Sequence, residues 1–235
     1  MVDAVLFDLD GTLADSGPLI TQTISATMRE LAGLVQPAHV YKRYVGPPLN
    51  SSFAHLGVAE ADIHTYIEHY RAAYSKIHHE TPAFEGVDDL LERVHAQGFA
   101  IALATSKIQD VAEEVVHNLG LTKYFDVLCG SQPGEVHLGK PAVVEAALNQ
   151  LKGAEYLTEG AREDTGMNVP LRDDVVMVGD RIYDIEGARL HGIRTILVTW
   201  GDSWPEEEDL AWKTVATPDE LVDLLTEVRK NGFVD

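Results

Sequence analysis

The sequence predicts an α/β fold: a doubly wound parallel sheet with an all-helical insert after its first strand. Three observations carry this. Five short apolar runs, at residues 2–7, 99–104, 125–129, 174–178 and 193–198, are each stopped by Gly, Asp or Thr. Amphipathic helical stretches alternate with those runs from residue 85 onward, and the stretch from about 16 to 82 breaks the alternation and reads as wholly helical. Strands apolar on both faces are buried on both sides, as in a parallel sheet, and βα alternation is how such a sheet is wound.

The first strand, residues 2–7, ends at Asp8. Long helical segments follow at 18–32 and 60–79, with shorter ones at 37–45 and 49–56. Two crossings, near 14–17 and 81–86, join this insert to the sheet, and the second carries Thr81-Pro82-Ala83 and Gly86, which suits a hinge. The expected division is therefore 1–15 with 84–235 as an α/β domain and 16–83 as a helical one. Val87, Leu90, Leu91 and Val94 share one helical stripe, closed by Gly98. Val111, Val115, Val116 and Leu119 share the next, closed by Gly120. Val143, Val144, Ala147, Leu148 and Leu151 line a helix over 141–151, and another over 184–191 ends at Gly192. Glycine just past a helix supplies the left-handed residue that stops it. Residues 152–173 are polar, with two Gly and a Pro, and read as a long loop with room for one helical turn.

Bulk composition narrows the function. The chain has 235 residues, a formal net charge of −20 and a pI near 4.7. A surface this acidic repels nucleic acid and anionic lipid, so neither is expected as a partner. Any anionic substrate would need positive charge supplied locally, by a metal or by Lys and Arg. The single cysteine, Cys129, excludes an intrachain disulfide and reads as a buried structural thiol. There is no apolar run long enough for a membrane span, and the first residues are acidic where a signal peptide is basic; the expected location is the cytoplasm and the expected state a monomer.

The chemistry is concentrated at strand ends. Asp8-Leu9-Asp10-Gly11-Thr12 follows the first strand, where open α/β sheets bind their ligands. Two carboxylates at i and i+2 converge across a sharp turn, and Gly11 lets the backbone approach a ligand closely. Thr105-Ser106 follows the second run, and Gly179-Asp180-Arg181-Ile182-Tyr183-Asp184 follows the fourth. Lys140 opens a helix just before Pro141. Taken singly, a Ser or Thr after a strand is a helix cap, an Asp at a helix start is another, and a lone Lys is a solvated side chain. Together they set hard oxygen ligands and phosphate-sized donors on one sheet edge. Crowded carboxylates repel unless a cation sits among them, and an oxygen-only set suits Mg²⁺.

These four motifs, Asp8-x-Asp10-Gly-Thr, Thr105, Lys140-Pro141 and Gly179-Asp180-x-x-x-Asp184, resemble the motif set of the haloacid dehalogenase superfamily, and the resemblance covers nearly the whole chain. The helical insert is similar to the cap of the phosphoglycolate phosphatase and β-phosphoglucomutase group. Asp15-Ser16-Gly17-Pro18, Gly46-Pro47-Pro48-Leu49, Ala104-Thr105-Ser106-Lys107 and Gly130-Ser131 resemble a subgroup described as phosphoglycolate phosphatase-like or 5′-nucleotidase-like. The resemblance implies a Mg²⁺-dependent phosphatase acting on a small phosphorylated metabolite. Asp8 would be the nucleophile and Asp10 the acid and base. Thr105, Ser106, Gly11 and Lys140 would hold the phosphoryl group, with Gly46 facing the substrate from the cap. Asp8, the Asp10 carbonyl and Asp180 would hold the metal, with Asp184 acting through metal waters or by orienting Lys140. A phosphomutase and a catalytically silent binding protein on the same fold are the alternatives. Glu85-Gly86 stands where relatives often have Pro-Gly, and His137 where Arg is expected. Lys42, Arg43, Arg71 and the run Glu206-Glu207-Glu208-Asp209 read as surface, and Trp200, Trp204 and Trp212 as packing on the sheet edge.

Overall fold

The structure is a computed structural model that describes residues 2–132, 138–157, 162–163 and 169–233. Its centre is a six-stranded sheet built from β1 (Ala4–Phe7), β2 (Ala100–Ile108), β3 (Val127–Ser131), β6 (Val175–Gly179), β7 (Arg194–Val198) and β8 (Lys213–Val215). The spatial order is β3-β2-β1-β6-β7-β8, and every neighbouring pair is parallel. The two-residue strands β4 (Arg162–Glu163) and β5 (Leu171–Arg172) pair with each other.

Side chains along each strand alternate between two cores, as the two-residue period requires. Val5, Phe7, Ile101, Leu103, Val176 and Val178 point to one face, covered by α4 (Val87–Ala96), α5 (Gln109–Asn118) and α9 (Pro218–Asn231). Ala4, Leu6, Ala102, Ala104, Val175 and Met177 point to the other, covered by α6 (Gly139–Gly153) and α7 (Ile182–Arg189). The small side chains on this second face let α6 lie close to β2 and β3. The chain winds outward from β1 through β2 to β3, then returns and winds outward again through β6, β7 and β8. The carboxyl end of β1 is thus the point of reversal where a crevice opens.

Before β2 the chain forms α1 (Gly17–Ala32), a 3₁₀ turn over Ala38–Tyr44, α2 (Leu49–His55) and α3 (Ile63–Tyr74). These enclose their own apolar cluster, including Ile20, Ile24, Met28, Tyr41, Phe53, Tyr70 and Tyr74. The entering and leaving segments run side by side: the Asp15 amide donates to the Pro82 carbonyl at 2.9 Å and the Phe84 amide to the Leu13 carbonyl at 3.1 Å.

Several elements differ from the sequence expectation. β8 was not foreseen, because Lys213 and Thr214 are exposed on a three-residue edge strand with no apolar run. β2 extends past Ala104 to Ile108 through a register shift, which keeps Thr105 to Lys107 extended instead of in a helix cap. The helix expected over 60–79 is confined to Ile63–Tyr74, with single 3₁₀ turns at Glu60–Asp62 and His78–Glu80, since only its middle carries the buried stripe. The polar stretch 152–173 opens inside the last turn of α6 and contains the β4–β5 pair, with residues 158–161 and 164–168 outside the described residues.

Two outcomes follow. Leu103 is fully buried between β1 and β3, so Leu103→Ala should lower unfolding free energy by about 2–5 kcal/mol in urea titration. Burial pushes the Cys129 thiol from 9.0 up to about 11. At pH 8 the folded protein therefore holds roughly a hundredfold less thiolate than the unfolded chain, and disulfide-reagent labelling should be slower by at least that factor. The same raised value favours the folded state below about pH 9, an advantage lost as pH rises towards 11.

Candidate active site

The site starts in the turn after β1. The Leu9 carbonyl accepts the amides of Thr12, Leu13 and Ala14, so the chain reverses at once and Asp8 and Asp10 are held at the sheet edge. Gly11 makes this possible: its φ is +81°, and a Cβ there would overlap the Asp180 carboxylate arriving from β6. Asp180 is fully buried, with Oδ2 accepting the Asp202 amide at 2.8 Å and Oδ1 the Thr12 hydroxyl at 3.4 Å.

Lys140 comes from the first turn of α6. Its Nζ donates to Asp8 Oδ1 at 2.6 Å and to the Ala104 carbonyl at 3.0 Å, and lies 2.7 Å from Asp184 Oδ1. Its stem crosses α7 at Gly187, where a Cβ would come within 2.5 Å of Lys140 Cγ. Asp184 is fixed from its other oxygen, which accepts the Arg181 amide at 3.1 Å and caps α7.

Burial dominates the electrostatics. It raises Asp8 from 3.8 to about 6, against the pull of Lys140, with the Asp184 and Asp10 charges adding to the rise. Asp180 is raised well above the usual carboxylate range by burial first, then by Asp184 and Asp8. Burial alone would depress Lys140, but the Asp184 and Asp8 carboxylates outweigh it and hold the ammonium above its ordinary value. Asp8, Asp180 and Asp184 offer oxygens within 4.8 Å of one another. One ammonium among three buried carboxylates leaves negative charge in excess, and the all-oxygen donor set fits a hard divalent cation.

Asp10 sits between two partners. The Ser16 hydroxyl donates to Oδ1 at 2.6 Å, and Lys107 Nζ lies 3.0 Å from Oδ2. Lys107 also donates to the Tyr74 hydroxyl at 3.2 Å and stands 4.8 Å from that ring, which ties the acid to α3. Burial works against the Lys107 charge, but Asp10 and Tyr74 outweigh it and raise the group. Thr105 is buried, and its Oγ1 accepts the Lys107 amide at 3.3 Å.

The expected residues Asp8, Asp10, Thr105, Ser106, Lys140, Asp184 and Gly46 all line one cleft. Gly11 and Asp180 lie under its floor, in contact with each other. Two residues with no assigned role prove central: Lys107, and Arg181, whose Nε donates to both Glu207 oxygens at 3.3 Å while Nη1 donates to the Val45 carbonyl. The only sequence signal for either was its place inside a motif. Arg181 thereby clasps the turn at Gly46 to the sheet edge, and Gly46, at φ +95°, leaves room for it.

Two surface expectations change. Glu207 is buried, because Arg181 needs a partner there, and α8 (Pro205–Glu208) is a single turn set by that pair. Arg71 lines the cleft instead of facing solvent alone, whereas Lys42 pairs loosely with Asp202 at 3.9 Å and Arg43 lies over Trp204. Trp200 packs against the turn that follows β1, its indole N–H donating to the Thr12 carbonyl at 2.9 Å. His137 lies outside the described residues.

Removing the ammonium should expose the cost of this arrangement. Lys140→Met leaves the Asp8 and Asp184 carboxylates buried and unpaired, so the metal-free protein should lose about 3–5 kcal/mol of stability in urea unfolding.

Comparison with known proteins gives the family. The chain is 31% identical over 224 residues to the tyrosine-protein kinase PtkA of Mycobacterium tuberculosis (strain ATCC 25618 / H37Rv), covering 95% of this chain and 71% of that protein. It is 28% identical over 229 residues to the pyrophosphatase PpaX of Halalkalibacterium halodurans, covering 95% and 97%. The crystal structure of a predicted phosphatase from Clostridium acetobutylicum superposes with a TM-score of 0.84 at 30% identity, over 97% of this chain and 99% of that one. With residues 5–198 matching the family described as haloacid dehalogenase-like hydrolase, the chain belongs to that family.

Proposed function

We propose that the protein is a Mg²⁺-dependent phosphatase that hydrolyses small phosphate monoesters, of the phosphoglycolate or nucleoside monophosphate kind, through an aspartyl phosphate on Asp8. The observation that carries this reading is the buried Asp8 carboxylate, held by Lys140 at 2.6 Å at the mouth of a cleft that also contains Asp10.

Asp8 attacks phosphorus and the ester oxygen leaves. Asp10 gives that oxygen its proton, then takes one from the water that cleaves the acyl phosphate; the second half-reaction reverses the proton need, so one carboxyl serves both. Ser16 and Lys107 hold Asp10 in position for both steps. Thr105 and Ser106 donate to the phosphoryl oxygens from the end of β2. Lys140 offsets the charge on Asp8 and on the transferred group, and Asp184 orients Lys140. Mg²⁺, held by the carboxylates of Asp8 and Asp180 and the Asp10 carbonyl, would supply the charge that lets an anionic nucleophile meet an anionic phosphate. Residues 16–83 act as a cap on the core formed by 1–15 and 84–235. Gly46 and its neighbours face the substrate, and closure excludes bulk water.

The likeness to PtkA supports a second reading, in which the phosphoryl group passes to a tyrosine instead of to water. Phosphate release from p-nitrophenyl phosphate separates the two. Wild type should turn over with Mg²⁺, while EDTA or Asp8→Asn should reduce the rate by at least about a thousandfold. An inactive wild type, on this ester and on a panel of natural monoesters, would overturn the phosphatase reading.

A further inference from the structure

Four cations line the cleft among the described residues: Arg71, Lys107, Lys140 and Arg181. Three are committed. Lys140 is bound by Asp8 and Asp184, Lys107 by Asp10 and Tyr74, and Arg181 by Glu207 and the Val45 carbonyl. Arg71, from α3, is held less firmly: Nη1 pairs loosely with Glu68 at 3.9 Å, both side chains being partly exposed. Its Nε is enclosed and has no hydrogen-bond partner among the described residues. An enclosed donor without an acceptor is costly, and a guanidinium is shaped to take a carboxylate through two parallel bonds.

Other residues that line the same cleft have a different character. Ile20, Tyr44, Pro47, Leu49, Tyr70 and Val111 present apolar and aromatic surface. Tyr70 and Tyr74 stack at 5.5 Å and 12°, which gives that wall a flat face. A polyol would leave its hydroxyls unpaired against such walls, while a planar ring would bury its faces. A second phosphate would find one loosely held cation where it needs several.

Resting on the phosphatase mechanism above, but replacing its phosphoglycolate or nucleotide substrate class, we infer that the preferred leaving group is an aromatic ring bearing a carboxylate, the ring lying between the apolar walls and the carboxylate on Arg71. Arg71 is then the specificity-determining residue of the cleft, and it acts on substrate choice instead of on phosphoryl transfer.

The test compares kcat/KM for 3- and 4-carboxyphenyl phosphate with that for the matching carbamoylphenyl phosphates, which keep size and planarity but lose the charge. Wild type should prefer one carboxylate isomer over its amide by at least about tenfold, the worth of one charge-assisted pair. In Arg71→Gln that ratio should fall below about threefold, with Arg71→Lys between the two. The ratio is taken within each variant, so a general loss of activity cancels. If wild type hydrolyses p-nitrophenyl phosphate but shows no charge preference, or if Arg71→Gln keeps it, the inference is overturned and the phosphatase reading stands. Better turnover of phosphoglycolate than of any aryl ester overturns it as well. If no ester is hydrolysed, p-nitrophenyl phosphate included, both fall together.

Discussion

The ammonium of Lys140, enclosed between Asp8 and Asp184, is the interaction on which the site depends. Moving either carboxylate out of water without a partner would cost several kcal/mol, and one lysine serves both. It reaches them from the start of α6, far away in sequence, because Gly187 leaves a channel across α7 and the Ala104 carbonyl accepts a further hydrogen bond. The balance is incomplete in charge: among the described residues, Asp180 is buried in the same cluster with an amide and a hydroxyl as its side-chain hydrogen-bond partners. That residue of negative charge is what a divalent cation would neutralise. It also answers the difficulty posed by a chain of net charge −20, which must otherwise repel a phosphate ester.

The sheet explains why these groups meet. Asp8 and Asp180 follow the carboxyl ends of β1 and β6, and Thr105 lies in β2 just past the residues that pair with β1, on three adjacent parallel strands beside the chain reversal. Parallel neighbours end at the same level, so residues nearly two hundred positions apart are brought to one edge by register alone. The helical segment over 17–80 is fastened to that edge by two polar clasps. Lys107 spans from Asp10 to Tyr74, and Arg181 from Glu207 to the Val45 carbonyl. Both clasps involve groups beside the proposed reacting atoms, so the position of the helices and the arrangement of the site are linked.

Five of the six strands of the main sheet were legible from local signals, whereas Asp8, Asp10, Thr105, Lys140, Asp180 and Asp184 were legible together, as motifs in order that resemble a known set. An apolar run, a glycine stop and a carboxylate just past a strand can each be read within a dozen residues. What escaped is tertiary. Glu207 looked like one of four exposed acids, and only Arg181, 26 residues earlier, explains its burial. Lys107 was visible as part of a motif, but its bridge to Tyr74 depends on how α3 lies over β2. Arg71 could not be told from Lys42 and Arg43 in sequence, since all three sit on helical faces, and only the packing of α3 turns one of them inward. The edge strand β8 has too few buried residues to leave a pattern.

The central claim is that Asp8 carries the phosphoryl group. The most direct measurement is mass spectrometry of the protein quenched in acid during turnover of p-nitrophenyl phosphate with Mg²⁺, followed by peptide mapping. The account predicts a phosphoryl mass increment on the peptide containing Asp8, removed by hydroxylamine as an acyl phosphate is. A stable increment on another residue, or turnover with no protein-bound phosphoryl group under conditions that trap it, would contradict the account.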